Sequence, residues 1–124
     1  MEKGLTYTSV AEVTAANTAI ALGSGDMDVF ATPALVALME NAAMNAVKSA
    51  LPEGSTTVGA MIQTSHIKPS AVGETVKATA VLQEVDGRKL TFSVSAVDSQ
   101  GAVGEGTHIR YVVDRERFLA KLKK

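Results

Sequence analysis

Between residues 75 and 113, apolar and polar side chains alternate with the two-residue period of strands that bury one face. Thr75 to Val85 sets Val76, Ala78, Ala80 and Leu82 on one side and Lys77, Thr79 and Gln83 on the other. Arg88 to Asp98 repeats the pattern, with Leu90, Phe92, Val94 and Ala96 opposed to Thr91, Ser93 and Ser95, and Ala102 to Val113 makes a third strand. Asp86-Gly87 predicts a two-residue hairpin between the first two, and Ser99-Gln100-Gly101 predicts the next turn. Thr57 to Ile67 and Leu5 to Val13 read as further strands, the latter from the run Thr6, Tyr7, Thr8 and Val10.

The stretch from Pro33 to Leu51 has a different pattern. Its only charged residues are Glu40 and Lys48, while Leu35, Val36, Leu38, Met39, Ala42, Ala43, Met44, Ala46 and Val47 cover most of a helical circumference. Such a helix is expected to be buried on most sides. Thr32-Pro33 opens it, with threonine as N-cap and proline at the first helical position, and Pro52-Glu53-Gly54 stops it. A short helix is expected over Thr14–Leu22, capped by Thr14 and closed by Gly23, and another over Arg115–Lys123.

These elements predict an α+β domain spanning residues 1–124: a strand, a long helix, then an antiparallel run of four strands. Strands of about eleven residues extend roughly 35 Å, and a helix of about eighteen residues roughly 27 Å. Only a curved antiparallel sheet wrapped around that central helix would bury an element so apolar, an arrangement that resembles a hotdog fold. Such a sheet leaves an edge and an apolar flank open, which favours pairing with a second copy of the chain.

Composition narrows the function. The 124 residues are 46% hydrophobic and 20% charged, which excludes intrinsic disorder. Without cysteine there is no disulfide, thiolate metal site or cysteine nucleophile. No close histidine–carboxylate pair suggests a metal site. A net charge of −1 and only two tyrosines and three phenylalanines argue against nucleic acid as a partner. The N-terminus lacks a signal-peptide layout and no apolar run is long enough to cross a bilayer, so a soluble cytoplasmic protein is expected.

Glu40 is the most conspicuous chemical candidate. A carboxylate flanked by Leu38, Met39, Ala42 and Ala43 must be neutralised, hydrogen-bonded or held in a wet pocket, unless it lies on the helix's one exposed stripe. His66 has the ring best suited to proton transfer near neutral pH, although a strand-end histidine also pairs with backbone or water. Thr32 has a structural task as a cap, and a hydroxyl at a helix N-terminus is also placed for chemistry. His108 and Arg110 share a strand face, where cross-strand pairing or a solvated face accounts for them. Gly101, Gly104 and Gly106 do not lead from a strand into a helix, so they make no phosphate loop.

The segments Gly23-Ser24-Gly25-Asp26, Val29-Phe30-Ala31-Thr32-Pro33 with Glu40, Val58-Gly59, Ser65-His66 and Gly106-Thr107-His108 resemble the fluoroacetyl-CoA thioesterase-like family of hotdog proteins. The likeness runs from about Leu5 to Val113. It implies an acyl-CoA thioesterase whose catalytic residues are Thr32, Glu40 and His66. Gly59 would lie against the bound acyl group, with Phe30, Val36 and Met61 lining its pocket. No cofactor is implied, since CoA is part of the substrate, and the expected assembly is a homodimer or larger homo-oligomer with sites at the subunit interface. In that reading His66 is the base toward Thr32 or a water, and Glu40 orients His66 or itself attacks the thioester. The phosphates of CoA would meet Lys68, Arg88 or Arg110. Two alternatives keep the fold: hydration of an enoyl-CoA, and acyl-CoA binding without turnover.

Geometry adds a constraint of its own. Eight residues of helix separate Thr32 from Glu40, a rise of about 12 Å, so one reaction centre using both would draw one of them from a second subunit.

Overall fold

The alternating segments form strands β3 (Thr75–Asp86), β4 (Lys89–Asp98) and β5 (Gly101–Asp114), joined as a meander. Two earlier strands, β1 (Thr6–Glu12) and β2 (Ser55–Thr64), close the two sides. The result is one antiparallel five-stranded sheet in the order β1-β3-β4-β5-β2. The computed structural model describes residues 1–123.

Helix α2 (Thr32–Val47) lies across the inner face of the sheet. Val76, Ala78, Ala80 and Leu82 from β3, with Leu90, Phe92, Val94 and Ala96 from β4, bury themselves against Leu35, Met39, Ala42, Ala43, Ala46 and Val47. The α-helix stops at Val47, short of the expected Leu51, because residues Lys48–Ala50 tighten into a 3-10 turn. Nor is the helix enclosed on most sides. One curved sheet covers one flank, and Val36, Leu38, Glu40 and Met44 remain partly exposed on the other.

Three smaller expectations are corrected. The first helix, α1, is only Ala19–Leu22, capped by the Thr18 side chain and closed by Gly23 at φ 73°. Thr14 and Asn17 instead hold the preceding turn through side chain–backbone bonds, which compete with helix there. The β3–β4 loop is Gly87-Arg88, with Asp86 paired to Lys89. Gly87 at φ 61° takes the first central position, as a type II′ turn requires. The last helix, α3, ends at Ala120.

Two features position the site. A bulge at Ala60 makes Gly59 pair with Arg110 and Met61 with Ile109, so the inward-facing set of β2 shifts from Thr57 and Gly59 to Ile62 and Thr64. The connection from β2 to β3 must also pass the ends of β5 and β4, roughly 14 Å at three strand spacings. His66 lies on that crossing segment. Among the described residues, no helix is long and apolar enough to cross a membrane.

Candidate functional site

Thr32 begins α2 without capping it. Isolated bridges Thr18–Phe30 and Val29–Ala71, with the Ala31 N–H donating to the Asn17 carbonyl, hold the entry to the helix extended. Ala31 therefore becomes the N-cap at ψ 141°, and Thr32 and Pro33 are the first two helical residues. Among the described residues no side chain caps the start of the helix, so the expected role of Thr32 is corrected. Its hydroxyl bonds instead to His66 Nδ1, at 2.7 Å.

His66 reaches that hydroxyl because the end of β2 folds onto the inner face of the sheet. The Ser65 N–H donates to the Glu105 carbonyl and the Ile67 N–H to that of Val103, prolonging the pairing with β5. Glycine is needed beneath this path: a β-carbon at Gly104 would collide with the Ser65 carbonyl, and one at Gly106 with that of Gln63. These glycines thus seat His66 against the start of α2.

The imidazole is poised as a base. Burial lowers its pKa below 6.5, and the neighbouring Lys68 ammonium lowers it further. In the tautomer whose Nδ1 accepts the Thr32 proton, Nε2 carries an N–H, and that atom is buried without a partner among the described residues. A cleft of about 260 Å³ opens beside the pair, lined by Phe30, Thr32, His66, Ile67, Lys68 and neighbours from the α1 region. Larger hollows of about 690 and 750 Å³ are lined by neither Thr32 nor His66.

A second polar cluster lies along the helix, over Gly59. Arg110 is almost buried and donates from Nε to Thr57 Oγ1 at 2.8 Å and from Nη2 to the Thr57 carbonyl at 2.9 Å. Its Nη1 lies 3.2 Å from His108 Nε2. A guanidinium only donates, so Nε2 accepts and His108 Nδ1 carries the proton, which it gives to the Met61 carbonyl at 2.8 Å. Burial lowers the His108 pKa, favouring this neutral form; the Met61 bond opposes the shift, Arg110 adds to it, and Glu40 opposes it. The sequence reading of His108 and Arg110 as an ordinary strand pair or solvated face is corrected. β5 is an inner strand, and both side chains are buried on its inward face.

Glu40 belongs to this second cluster. Its side chain is 40% exposed, not held in an apolar core, because the sheet leaves that flank of α2 uncovered. Oε2 lies 3.9 Å from Arg110 Nη1. It also sits where a β-carbon on Gly59 would approach within 2.8 Å, so glycine gives the carboxylate its place. Among the described residues, no hydrogen bond or ion pair joins Glu40 to Thr32 or His66.

The other expected residues divide between the two regions. Phe30 lines the cleft beside Thr32 while remaining 1% exposed. Gly59 lies with Glu40. Val36 is half-buried on α2 between the two clusters, and Met61 shares the outer face with its partner Ile109. Of the cations considered for CoA, Arg110 is withdrawn from the surface and Lys68 is paired with Asp98. Arg88 borders a separate cleft with Arg117 and Lys121.

Residues 13–116 match a family described as fluoroacetyl-CoA-specific thioesterase. The fluoroacetyl-CoA thioesterase of Streptantibioticus cattleyicolor is 41% identical over 96 residues, 77% of this chain and 69% of that protein. A solved structure of the fluoroacetyl-CoA thioesterase FlK superposes with a TM-score of 0.93 at 35% identity, covering 99% of this chain and 96% of that one. A hot-dog-like protein from Thermanaerovibrio acidaminovorans superposes at 0.89 with 24% identity, covering 98% and 90%, and shares the fold.

Proposed function

The chain belongs to the family of fluoroacetyl-CoA-specific thioesterases, thioester hydrolases of the hotdog fold, and from that premise we propose that it hydrolyses a short-chain acyl-CoA through Thr32, His66 and Glu40. The observation that carries this reading is the 2.7 Å contact between the Thr32 hydroxyl and an imidazole kept neutral by burial and by Lys68. A hydroxyl is a weak nucleophile until a base takes its proton. His66 Nδ1 is within reach to do so.

In the proposed reaction the Thr32 oxygen attacks the thioester carbonyl as its proton passes to His66. The tetrahedral intermediate collapses by breaking the C–S bond, and the imidazolium returns the proton to the departing CoA thiolate. Water, deprotonated by the same imidazole, then cleaves the threonyl ester to release the acid and restore the hydroxyl. A direct attack by water held between Thr32 and His66 gives the same products. Backbone N–H groups at the start of α2 face the developing oxyanion, and the helix dipole adds to their pull.

Glu40 enters through a second copy of the chain. Among the described residues of one chain its nearest charged partner is Arg110, while buried His66 Nε2 has no acceptor. A carboxylate from the partner subunit brought to the cleft beside Thr32 would stabilise the imidazolium by its charge. The edge of β2 is open along its ten residues, and Met61 and Ile67 beside it are 40% and 64% exposed. An open edge flanked by exposed apolar side chains favours pairing with an identical edge. The proposed assembly is therefore a homodimer with two composite sites.

The test is thiol release from acetyl-, fluoroacetyl-, propionyl- and butyryl-CoA, read with a thiol-trapping dye to which a cysteine-free protein adds no background. Turnover of at least one substrate, lost in Thr32→Ala and His66→Ala, is expected. Release of no thiol from the whole panel by folded wild-type protein would overturn the reading.

A further inference from the structure

The segment that carries His66 crosses the ends of two strands before entering β3, and a single carboxylate intercepts it. Asp98 is the last residue of β4, and its side chain is fully buried. Oδ2 receives the Lys68 ammonium at 2.5 Å and the Ser70 hydroxyl at 2.7 Å, while Oδ1 accepts the Gln100 N–H at 2.8 Å. Burial pushes the Asp98 carboxyl up, but the bonds from Lys68, Ser70 and Gln100 outweigh it and hold it below 3.8. The group is a well-satisfied buried anion.

Its two side-chain partners lead to the two members of the hydrolytic pair. Lys68 is two residues beyond His66 in the chain. Ser70 is also buried, and its carbonyl accepts the N–H of Phe30 at 2.9 Å, two residues before Thr32. The adjoining bridge between Val29 and Ala71 continues that pairing. Asp98 thus anchors the crossing segment that carries His66 to the end of β4 at two points, and that segment in turn pairs through the Ser70 carbonyl with the entry to α2, although Asp98 touches neither Thr32 nor His66. Among the residues lining the cleft, Lys68 is the one charged side chain.

Buried ion pairs contribute little net stability compared with apolar packing, and their better attested service is to fix one arrangement among several. Here the arrangement is the contact of His66, on an irregular segment, with Thr32 at the start of α2, and no regular strand or helix spans both. We propose that Asp98 is a positioning residue that pins the crossing segment to the end of β4 through Lys68 and Ser70 and so holds His66 Nδ1 against Thr32 Oγ1. The inference deepens the thioesterase reading, and its kinetic readout rests on that reading.

The test compares Asp98→Asn, Ser70→Ala, Lys68→Gln and Lys68→Arg with wild type, using thiol release and the ¹⁵N resonances of the His66 ring. His66→Gln assigns those resonances, since the chain has two histidines. Loosening the pair should lower kcat by about tenfold or more in Asp98→Asn, with KM within about twofold, since misplacement of about 1 Å has effects on that scale. Ser70→Ala should do the same to a smaller degree, and Lys68→Arg should keep most of the activity. The Nδ1 resonance should move toward that of an imidazole free of the Thr32 bond. Lys68→Gln should in addition raise the titration midpoint of His66, because a cation that disfavours imidazolium is gone.

Wild-type kcat and unchanged ring resonances in Asp98→Asn and Ser70→Ala, even with a lowered Tm, would reduce Asp98 to a structural residue. Should Asp98→Asn fail to fold, Ser70→Ala leaves the ion pair in place and decides the matter by the same readouts. Wild type that turns over no acyl-CoA overturns the thioesterase reading instead, and the ring resonances still decide the clamp.

Discussion

The two polar regions around α2 solve opposite problems. At the helix start, Thr32 is exposed and His66 half-buried, and one hydrogen bond joins them. Over Gly59, Arg110 and His108 are buried and bonded to fixed partners, and only Glu40 reaches toward solvent. The first region supplies the nucleophile and base of the proposed reaction but leaves an imidazole nitrogen without a partner among the described residues. The second has a carboxylate whose one ion pair is long, at 3.9 Å. Each holds what the other lacks, and one helix keeps them about 12 Å apart. A reaction centre built from both needs two chains.

The largest effect should separate chemistry from folding. Thr32→Ala and His66→Ala should lower kcat by about 10²–10⁴-fold, the range for loss of a positioned proton-transfer partner. Their melting temperatures should change little, because neither residue belongs to the apolar core. A large fall in stability with activity retained would reverse the assignment of the two regions.

Mixing two inactive variants sharpens the comparison. Glu40→Gln should be nearly as inactive as Thr32→Ala, and each alone gives dimers without an intact site. After the two are unfolded and refolded together, about half of the dimers are mixed and each has one intact site, so activity returns to about a quarter of wild type. Sites built within one chain would give no recovery.

The glycines distinguish the regions by what lies above them. At Gly106 an added methyl meets the Gln63 backbone, which cannot swing aside, so Gly106→Ala should destabilise by about 1–3 kcal/mol or more and detach His66 as well. At Gly59 it meets the end of the Glu40 side chain, which can rotate away. Gly59→Ala should therefore lower kcat by about tenfold and leave the Tm nearly unchanged. Denaturant unfolding and thiol release check both.

The smallest expected effect is a displacement along the pH axis. In the proposed reaction the neutral His66 imidazole is the base, and its folded pKa lies below 6.5. The acid limb of kcat/KM should fall below that value, with activity complete above it and lost as pH drops through the folded pKa. A limb above 6.5 would place the base elsewhere.

Much of the fold was legible in the pattern of the chain. The alternation along β3 and β4 named their inward residues correctly, because a two-residue period has only two faces to choose between. The central helix was legible for a similar reason, but its burial was overestimated: an apolar circumference does not reveal how far one sheet reaches around it. Thr32, Glu40 and His66 stood out singly by chemistry. The parts played by His108, Arg110 and the glycines of β5 did not, because a polar or small residue on a strand reads the same over solvent or under a helix. The change of the Thr32 hydroxyl from cap to partner of His66 was also hidden, since it depends on Phe30 meeting Ser70 across forty residues of chain.

The sequence by itself determined the element types, the faces they bury and the spacing that keeps Thr32 from Glu40, since these follow from backbone periodicity and helical rise alone. Only the tertiary structure decided that β2 pairs with β5 at the sheet edge, that the crossing segment passes over Asp98, and that His66 thereby meets the start of α2. Those are contacts between residues far apart in the chain, chosen by which arrangement satisfies the buried polar groups, and no local pattern encodes them.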